Sequence, residues 1–315
     1  MSGRAWRLEI ADSDFHRTLL RADNMTNPPV CAVIVTYHPS ARMLELLGDV
    51  LAQVQGLVVV DNGSNAEEVQ ALRNRSRALG FQLIENGKNL GIAEALNRGV
   101  ARAKVTGFLW VILFDQDSRV TDGFVRQMFG AWESHPERER VASVHPRYVD
   151  PDTGIVASMP RAVDGSLVLP MTSGALMPLW IFDKIGLFAS EYFIDLVDWE
   201  YCFRIRAAGL LIADSEQARL LHTAGSPADT TVLGRTFHPS HHSAIRRYYI
   251  SRNCIAFYRK YIFRFPGWIL NCIYRQLRDM VVCSIAERDR GRKFRYFLLG
   301  TWDGLTGKMG EREGL

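Results

Sequence analysis

Short apolar runs punctuate residues 30–115, and a stretch of helical periodicity separates each run from the next. The first run, Val30-Cys-Ala-Val-Ile-Val-Thr36, is β-branched and uninterrupted, which predicts a strand covered on both faces. His38-Pro39-Ser40 breaks it. Leu44, Leu47, Val50, Leu51 and Val54 then recur at helical spacing over residues 41–53. The cycle repeats with strands from Gly56 to Val60, Phe81 to Ile84 and Phe108 to Phe114, and with helices over 65–79 and 92–104. Such alternation predicts an α/β fold with a doubly wound, Rossmann-like, mostly parallel sheet. Ligands of these sheets bind beyond the carboxyl ends of the strands. Thr36, Asp61 and Asp115 stand at those ends.

After residue 140 the rhythm changes. The pattern predicts a strand from Val141 to Val144, and a hairpin from Arg147 to Ser158 that turns at Asp150-Pro-Asp-Thr-Gly154. A short helix is expected within 171–186, after Ser173-Gly174, and a helix over 197–208 stopped by Gly209. A short strand from Leu210 to Ala213, a loop over 225–240 and two or three helices from Ser243 complete the expected layout.

Composition excludes several classes. The chain has 315 residues, 47% of them hydrophobic, so it needs no staples to bury a core. Its five cysteines, Cys31, Cys202, Cys254, Cys272 and Cys283, are scattered and form no CxxC pair. Zinc and disulfide frameworks are therefore not expected, and a reducing compartment fits. Met1 to Asn27 carries Glu9, Asp12, Asp14 and Asp23 and no apolar core of a signal peptide. No run of 18 uncharged apolar residues occurs that would span a bilayer. Residues 241–315 hold 15 Lys and Arg against 6 Asp and Glu, a net of +9, whereas residues 1–240 hold 23 against 28, a net of −5. A basic tail on an acidic body faces something anionic, a membrane surface or a polyanion.

Several side chains carry candidate chemistry, each with a plainer alternative. Asp115 and Asp117 are two apart in an extended segment and point the same way. Two such carboxylates repel unless a hard cation joins them, though either Asp117 or Ser118 could simply cap a helix. Asp61, in Val60-Asp61-Asn62-Gly63-Ser64, can accept the imide N–H of uracil or thymine, or can close an Asx turn. Asn89 and Gly91 precede a helix entrance that could offer donors to an anion, while Ala93 and Gly99 read as close helix–sheet packing. Asp198 could take a proton from an attacking hydroxyl or cap its helix, and Asp195 is a rival for the first role. Glu200 could pair with Arg204 one turn on. His222 could be a ligand or an ordinary core histidine.

In their order along the chain, these pieces resemble the family 2 glycosyltransferases of GT-A fold, and most of all the bacterial rhamnosyltransferase branch that builds cell-surface polysaccharides. The matching residues are Val35-Thr36-Tyr37-His38-Pro39, Val60-Asp61-Asn62-Gly63-Ser64, Asn89-Leu90-Gly91-Ile92-Ala93 with Asn97 and Gly99, and Phe114-Asp115-Gln116-Asp117-Ser118. Later come Ser173-Gly174-Ala175, Phe193 to Cys202 with Arg204 and Gly209, His222 with Gly225-Ser226, and Arg252-Asn253. The resemblance implies that Thr36, Tyr37, Asp61, Asn89, Gly91, Asp115 and Gly174 hold the sugar nucleotide. It implies that Asp117, with Asp115 and His222, holds Mg²⁺ or Mn²⁺, and that Asp198 is the base of an inverting transfer. Val197 stands where the wider family often has an acidic residue, so Asp195 stays open as an alternative. The implied layout is an N-terminal extension over 1–28, a catalytic GT-A domain over 29–240 and a basic helical tail over 241–315.

The implied donor is dTDP-rhamnose, with another UDP- or GDP-sugar as the alternative, and the implied acceptor is a glycan or lipid-linked hydroxyl. No nucleic acid is expected. The place implied is the cytoplasm, on the inner face of the membrane or free of it. A phosphatase of the haloacid dehalogenase type has a motif similar to Phe114-Asp-x-Asp-Ser118, but after its first strand rather than its fourth. A silent assembly scaffold is a further alternative. In the tail, Ile269, Leu270, Ile273, Leu277, Met280, Val281 and Ile285 recur at helical spacing with Arg275, Arg278 and Asp279 between them. That helix either packs on the body or on a second subunit, or lies on anionic lipid with Trp268 and the arginines as anchors.

Overall fold

The structure, a computed structural model, describes residues 28–222, 230–232, 235–237, 241–287 and 289–314. Residues 1–27 of the N-terminal extension and Gly225-Ser226 lie outside the described residues. In chain order the elements are β1 (Val30–Thr36), α1 (Ala41–Leu51), β2 (Gly56–Asp61), α2 (Ala66–Leu79), β3 (Gln82–Glu85), α3 (Ile92–Val105) and β4 (Trp110–Asp115). Then follow β5 (Arg119–Val120), α4 (Phe124–Glu133), β6 (Val141–Val149), β7 (Leu176–Pro178), α5 (Trp180–Ile185), α6 (Val197–Ala207) and β8 (Leu211–Leu221). Last come β9 (Thr230–Val232), β10 (Arg235–Phe237), α7 (Ala244–Tyr261), α8 (Pro266–Ala286) and α9 (Arg290–Thr306).

Eight strands form one sheet in the order β3-β2-β1-β4-β7-β6-β8-β5. The first four are mutually parallel, as the strand–helix alternation predicts. All seven residues of β1 are buried. Cys31, Val33 and Val35 enter one apolar cluster and Val30, Ala32 and Ile34 the other, so the strand's two faces meet two separate helical layers. Ala93, Leu96 and Val100 of α3 cover the first face, and Leu47, Leu72 and Met128 of α1, α2 and α4 cover the second. A Cβ at Gly99 would lie 2.2 Å from Val33 Cγ1, which bears out close packing there.

The second half departs from the sequence pattern. β7, three residues long, runs antiparallel to β4 and was not expected. β8 extends eleven residues to Leu221, past the four expected, because only Ser215, Ala218 and Leu220 of Ser215-Glu-Gln-Ala-Arg-Leu220 are buried and no apolar run marks the segment. β6 runs on to Val149 through a register shift between His145 and Arg147. The expected hairpin is a turn at Asp150 closed by one bridge, Val149 to Val156. Within the expected loop over 225–240, β9 and β10 pair antiparallel.

Three helices form the tail. Phe257, Tyr258 and Tyr261 of α7 join the buried cluster of the sheet, and Phe203 of α6 meets Phe257 with ring centroids 4.8 Å apart. α9 lies close along α7, since a Cβ at Gly300 would stand 2.3 Å from Tyr248 O and one at Gly304 2.6 Å from Arg252 O. Among the described residues, no helix is long and apolar enough to cross a membrane.

Candidate active site

The turn after β4 carries Asp115-Gln116-Asp117-Ser118 and leads into β5, not into a helix, so neither Asp117 nor Ser118 is a helix cap. Ser173, unremarked by its chemistry in the sequence, ties this turn down. Its Oγ accepts the Asp115 N–H at 3.2 Å and lies 2.6 Å from Ser118 Oγ. Gly174 holds φ +81° beneath it, where a Cβ would lie 2.7 Å from Pro146 Cγ. Gly174 therefore lets the chain approach closely under the turn. β5 pairs antiparallel with β8, Arg119 opposite Leu221. That register brings His222, 105 positions after Asp117 in the chain, to the same edge.

Two cavities open at this edge. One, of about 490 Å³, is lined by Tyr37, Asn62, Asn89, Gly91, Asp117 and others. The other, of about 650 Å³, is lined by Asp195, Asp198, Trp199 and tail-helix residues, among them Arg275 and Met280. Asp115, His222 and Arg246 line both, so the two spaces meet there. Burial first, then the charge of Asp117, pushes the Asp115 carboxyl up to about 6, with His222 acting against this. Among the described residues, His222 Nδ1 is buried without a hydrogen-bond partner. A concentrated negative charge beside an unpartnered imidazole nitrogen fits a divalent cation. Among the described residues, no three His, Cys, Asp or Glu side chains are grouped closely enough to hold an ion unaided.

The loop ahead of α6 delivers Asp198. Phe193, Asp195 and Leu196 all take positive φ, at 63°, 64° and 59°. Such backbone costs about 1 kcal/mol or more per residue and persists only when its surroundings hold it. Asn253, fully buried on α7, does so: its Nδ2 donates to Tyr192 O at 2.9 Å, Ile194 O at 2.7 Å and Asp195 O at 2.9 Å. Arg252 Nη2 donates to Tyr192 O at 3.1 Å. The helix cap position is Leu196, so Asp198 is not a cap. Its Oδ1 accepts the Trp199 N–H at 2.9 Å. Burial, opposed by that N–H and reinforced by Asp195 and Asp115, raises the Asp198 carboxyl to about 6. Asp195 is raised by burial but held by Arg246, Nη2 to Oδ1 at 2.9 Å. Glu200 is fully buried between Arg204 at 2.7 Å and Lys260 at 2.7 Å, so its role is structural.

The other side of the site holds the residues expected to bind the nucleotide. Thr36 and Asp61 are buried and do not line either cavity described. Asp61 Oδ2 accepts the N–H groups of Gly63 at 3.2 Å and Ser64 at 3.1 Å, and its Oδ1 accepts from Ser64 Oγ and, at 3.5 Å, Thr36 Oγ1. The carboxylate is engaged in its own turn, the Asx alternative. The donors expected of the α3 entrance are also engaged: Gly91 N–H by Asn89 Oδ1 at 2.9 Å, and Ile92 N–H by Phe193 O at 2.8 Å. A Cβ at Gly91, φ +83°, would lie 2.5 Å from that same Phe193 O. Tyr37 keeps an exposed ring at the cavity edge, its backbone held at both ends by Gln116, which accepts Tyr37 N–H at 2.9 Å and donates to Tyr37 O at 3.1 Å.

Against known proteins, residues 31–180 match the family model described as glycosyl transferase family 2. The chain is 26% identical over 300 residues to the dTDP-rhamnosyl transferase RfbF of Shigella flexneri, covering 90% of this chain and 98% of that one. Among solved structures it is similar to the mannosyltransferase PcManGT from Pyrobaculum calidifontis in complex with GDP-Man and Mn²⁺, with a TM-score of 0.54 at 13% identity over 90% of this chain and 88% of that one. It is also similar to S. aureus TarS 1-349 in complex with UDP-GlcNAc, with a TM-score of 0.52 at 12% identity over 89% of this chain and 73% of that one. At such identities the two structures bear on the fold alone, and they share the GT-A arrangement. The strand–helix core of this chain is thus a family 2 glycosyltransferase domain.

Proposed function

We propose that this protein moves a sugar from a nucleoside diphosphate donor to an acceptor hydroxyl in one inverting step. The observation that carries the reading is the meeting of two cavities at Asp115 and His222, with Asp117 on one side and Asp198 on the other. The smaller cavity would take the nucleotide, against the exposed ring of Tyr37 and the amides of Asn62 and Asn89. Thr36, Asp61, Gly91 and Gly174 would act by shaping the turns that form its walls. The larger would take the acceptor. Asp198 accepts the proton of the attacking hydroxyl, and the new bond forms on the face opposite the departing diphosphate, which inverts the anomeric centre. Asp117, with Asp115 and His222, would hold Mg²⁺ or Mn²⁺ together with diphosphate oxygens. Bound there, the ion would offset the charge that develops on the leaving group.

The donor favoured is dTDP-rhamnose, on the similarity to the S. flexneri dTDP-rhamnosyl transferase over nearly the whole chain. A UDP- or GDP-sugar is the alternative, since solved proteins of like fold hold UDP-GlcNAc and GDP-Man. The acceptor proposed is a glycan or lipid-linked hydroxyl of a cell-surface polysaccharide. A screen of dTDP-, UDP- and GDP-sugars for nucleotide release, with a divalent ion present, tests the reading. Release from one donor, lost in Asp198→Asn, is the expected result. Failure of every nucleotide diphosphate to bind, read by thermal shift with Mn²⁺ present, would overturn it.

A further inference from the structure

The apolar residues of α8 divide into two sets. Ile269, Cys272, Met280 and Cys283 are buried, whereas Leu270, Tyr274, Leu277, Val281 and Ile285 are 44–65% exposed. At 100° per residue the exposed set spans an arc of about 80° on the side away from the buried one. Trp268 packs toward the core, so it is not part of this outward face. An exposed apolar row five residues long on one helix is not ordinary surface. Arg275 and Arg278 are exposed on the same helix, and Asp279 is its one acidic residue. The adjoining helix α9 exposes Phe294, Leu298, Trp302 and Leu305 together with Arg290, Arg292 and Arg295, while its one acidic residue, Asp303, is buried.

We propose that this outward face of α8 docks the protein onto an anionic lipid surface. Charge selects the occupant. A second copy would bring another tail of net +9 against the first, with little acidic surface on either helix to meet the arginines. Lipid phosphates supply that charge, and the acyl boundary accepts the leucine, tyrosine and valine side chains between them. The helix is too polar to span and lies along the interface. α8 also lends Arg275, Gln276, Asp279 and Met280 to the larger cavity, so docking places that cavity about one helix diameter, ~10 Å, from the lipid. This deepens the sugar-transfer reading by favouring an acceptor carried on a lipid, but the docking itself does not depend on transfer.

The test is flotation of the full chain with vesicles of phosphatidylglycerol and phosphatidylethanolamine, against vesicles of phosphatidylcholine alone. The expected result is co-flotation with the anionic vesicles that weakens in high salt and is absent with phosphatidylcholine. Leu277→Glu with Val281→Glu should lower binding at least about tenfold. Arg278→Glu, which leaves the apolar row intact, should lower it several-fold. Both variants should melt at the temperature of the parent, since the altered side chains face outward. Absence of flotation with anionic vesicles at low salt would overturn the proposal, as would undiminished binding by both variants. So would a dimer, seen by light scattering, that the Leu277→Glu, Val281→Glu pair dissociates. Binding is read without any sugar donor, so a failed donor screen and a failed flotation remain separate results.

Discussion

Arg246, on the first helix of the tail, grips Asp195 through Nε at 3.0 Å and Nη2 at 2.9 Å. The pair separates two carboxylates that lie three positions apart. Asp195 is committed to a guanidinium, while Asp198 Oδ1 accepts from its neighbour's backbone N–H. On the proposed reading, Asp198 is therefore the base. Asp198→Asn should lower kcat by about 10²–10⁴-fold with donor affinity retained. Asp195→Asn should lower it far less. Steady-state kinetics of the two variants, paired with nucleotide titration, decide this; a larger loss at Asp195 reverses the assignment.

The same assignment sets the expected pH response. Burial raises the Asp198 carboxyl to about 6. Only its ionised form accepts a proton, so kcat should be level above that value and fall about tenfold per unit below it. A pH profile from 4.5 to 8 with a saturating donor reads this directly. A profile that stays flat to its acid end would exclude Asp198 as the base.

Asp117 and His222 are tied by the β5–β8 pairing, and both line the smaller cavity. Asp117→Asn and His222→Ala should each weaken Mn²⁺-dependent nucleotide binding at least about tenfold. At fixed ligand, that removes about 1.4 kcal/mol of ligand-linked stabilisation. Thermal melting with and without Mn²⁺ and dTDP measures it. Unchanged ligand-linked shifts in both variants would place the ion elsewhere.

Glu200 tests the plain side of the motif. It is fully buried and joins Arg204, Lys260 and Tyr261 Oη, the last at 3.1 Å. Glu200→Ala leaves Arg204 without its counter-charge in the core, which should cost about 3 kcal/mol or more. Urea unfolding gives the figure. A loss within about 0.5 kcal/mol would show that the ion pair does not hold α6 to the tail.

Asn253 holds the strained loop through three carbonyls. Asn253→Ala removes the donor to Ile194 O and Asp195 O, while Tyr192 O keeps Arg252, and should destabilise the fold by about 1–3 kcal/mol. It should also lower kcat with little change in donor affinity, because the nucleotide side does not touch Asn253. A fall in stability alone, with kcat preserved, would make Asn253 a purely structural residue.

Much of the first half was legible. Strand β1 lies at the predicted residues, and β2, α2 and α3 lie within a residue or so of theirs, because residues covered on both faces must be apolar throughout and their helices must repeat every turn. The second half was less so. β7 is too short to show a period, and β8 carries Asp214, Glu216 and Gln217 on positions that need no burial. The same limit hid the supporting roles of three residues that stand in the matched motifs. Ser173, Gln116 and Asn253 act through hydrogen bonds to backbone, and such partners leave no periodic trace in the chain.

What the residues alone determined is the alternating core and the positions where acidic side chains end its strands, since burial on both faces dictates composition locally. What only the tertiary structure decided is which of those carboxylates are free to act. Asp61 is engaged by its own turn, Asp195 by Arg246 and Glu200 by Arg204 and Lys260, whereas Asp115, Asp117 and Asp198 face the joined cavities. The difference lies in pairing partners up to 60 positions away, and a carboxylate's chemistry depends on those partners and on its burial, not on its place in the chain.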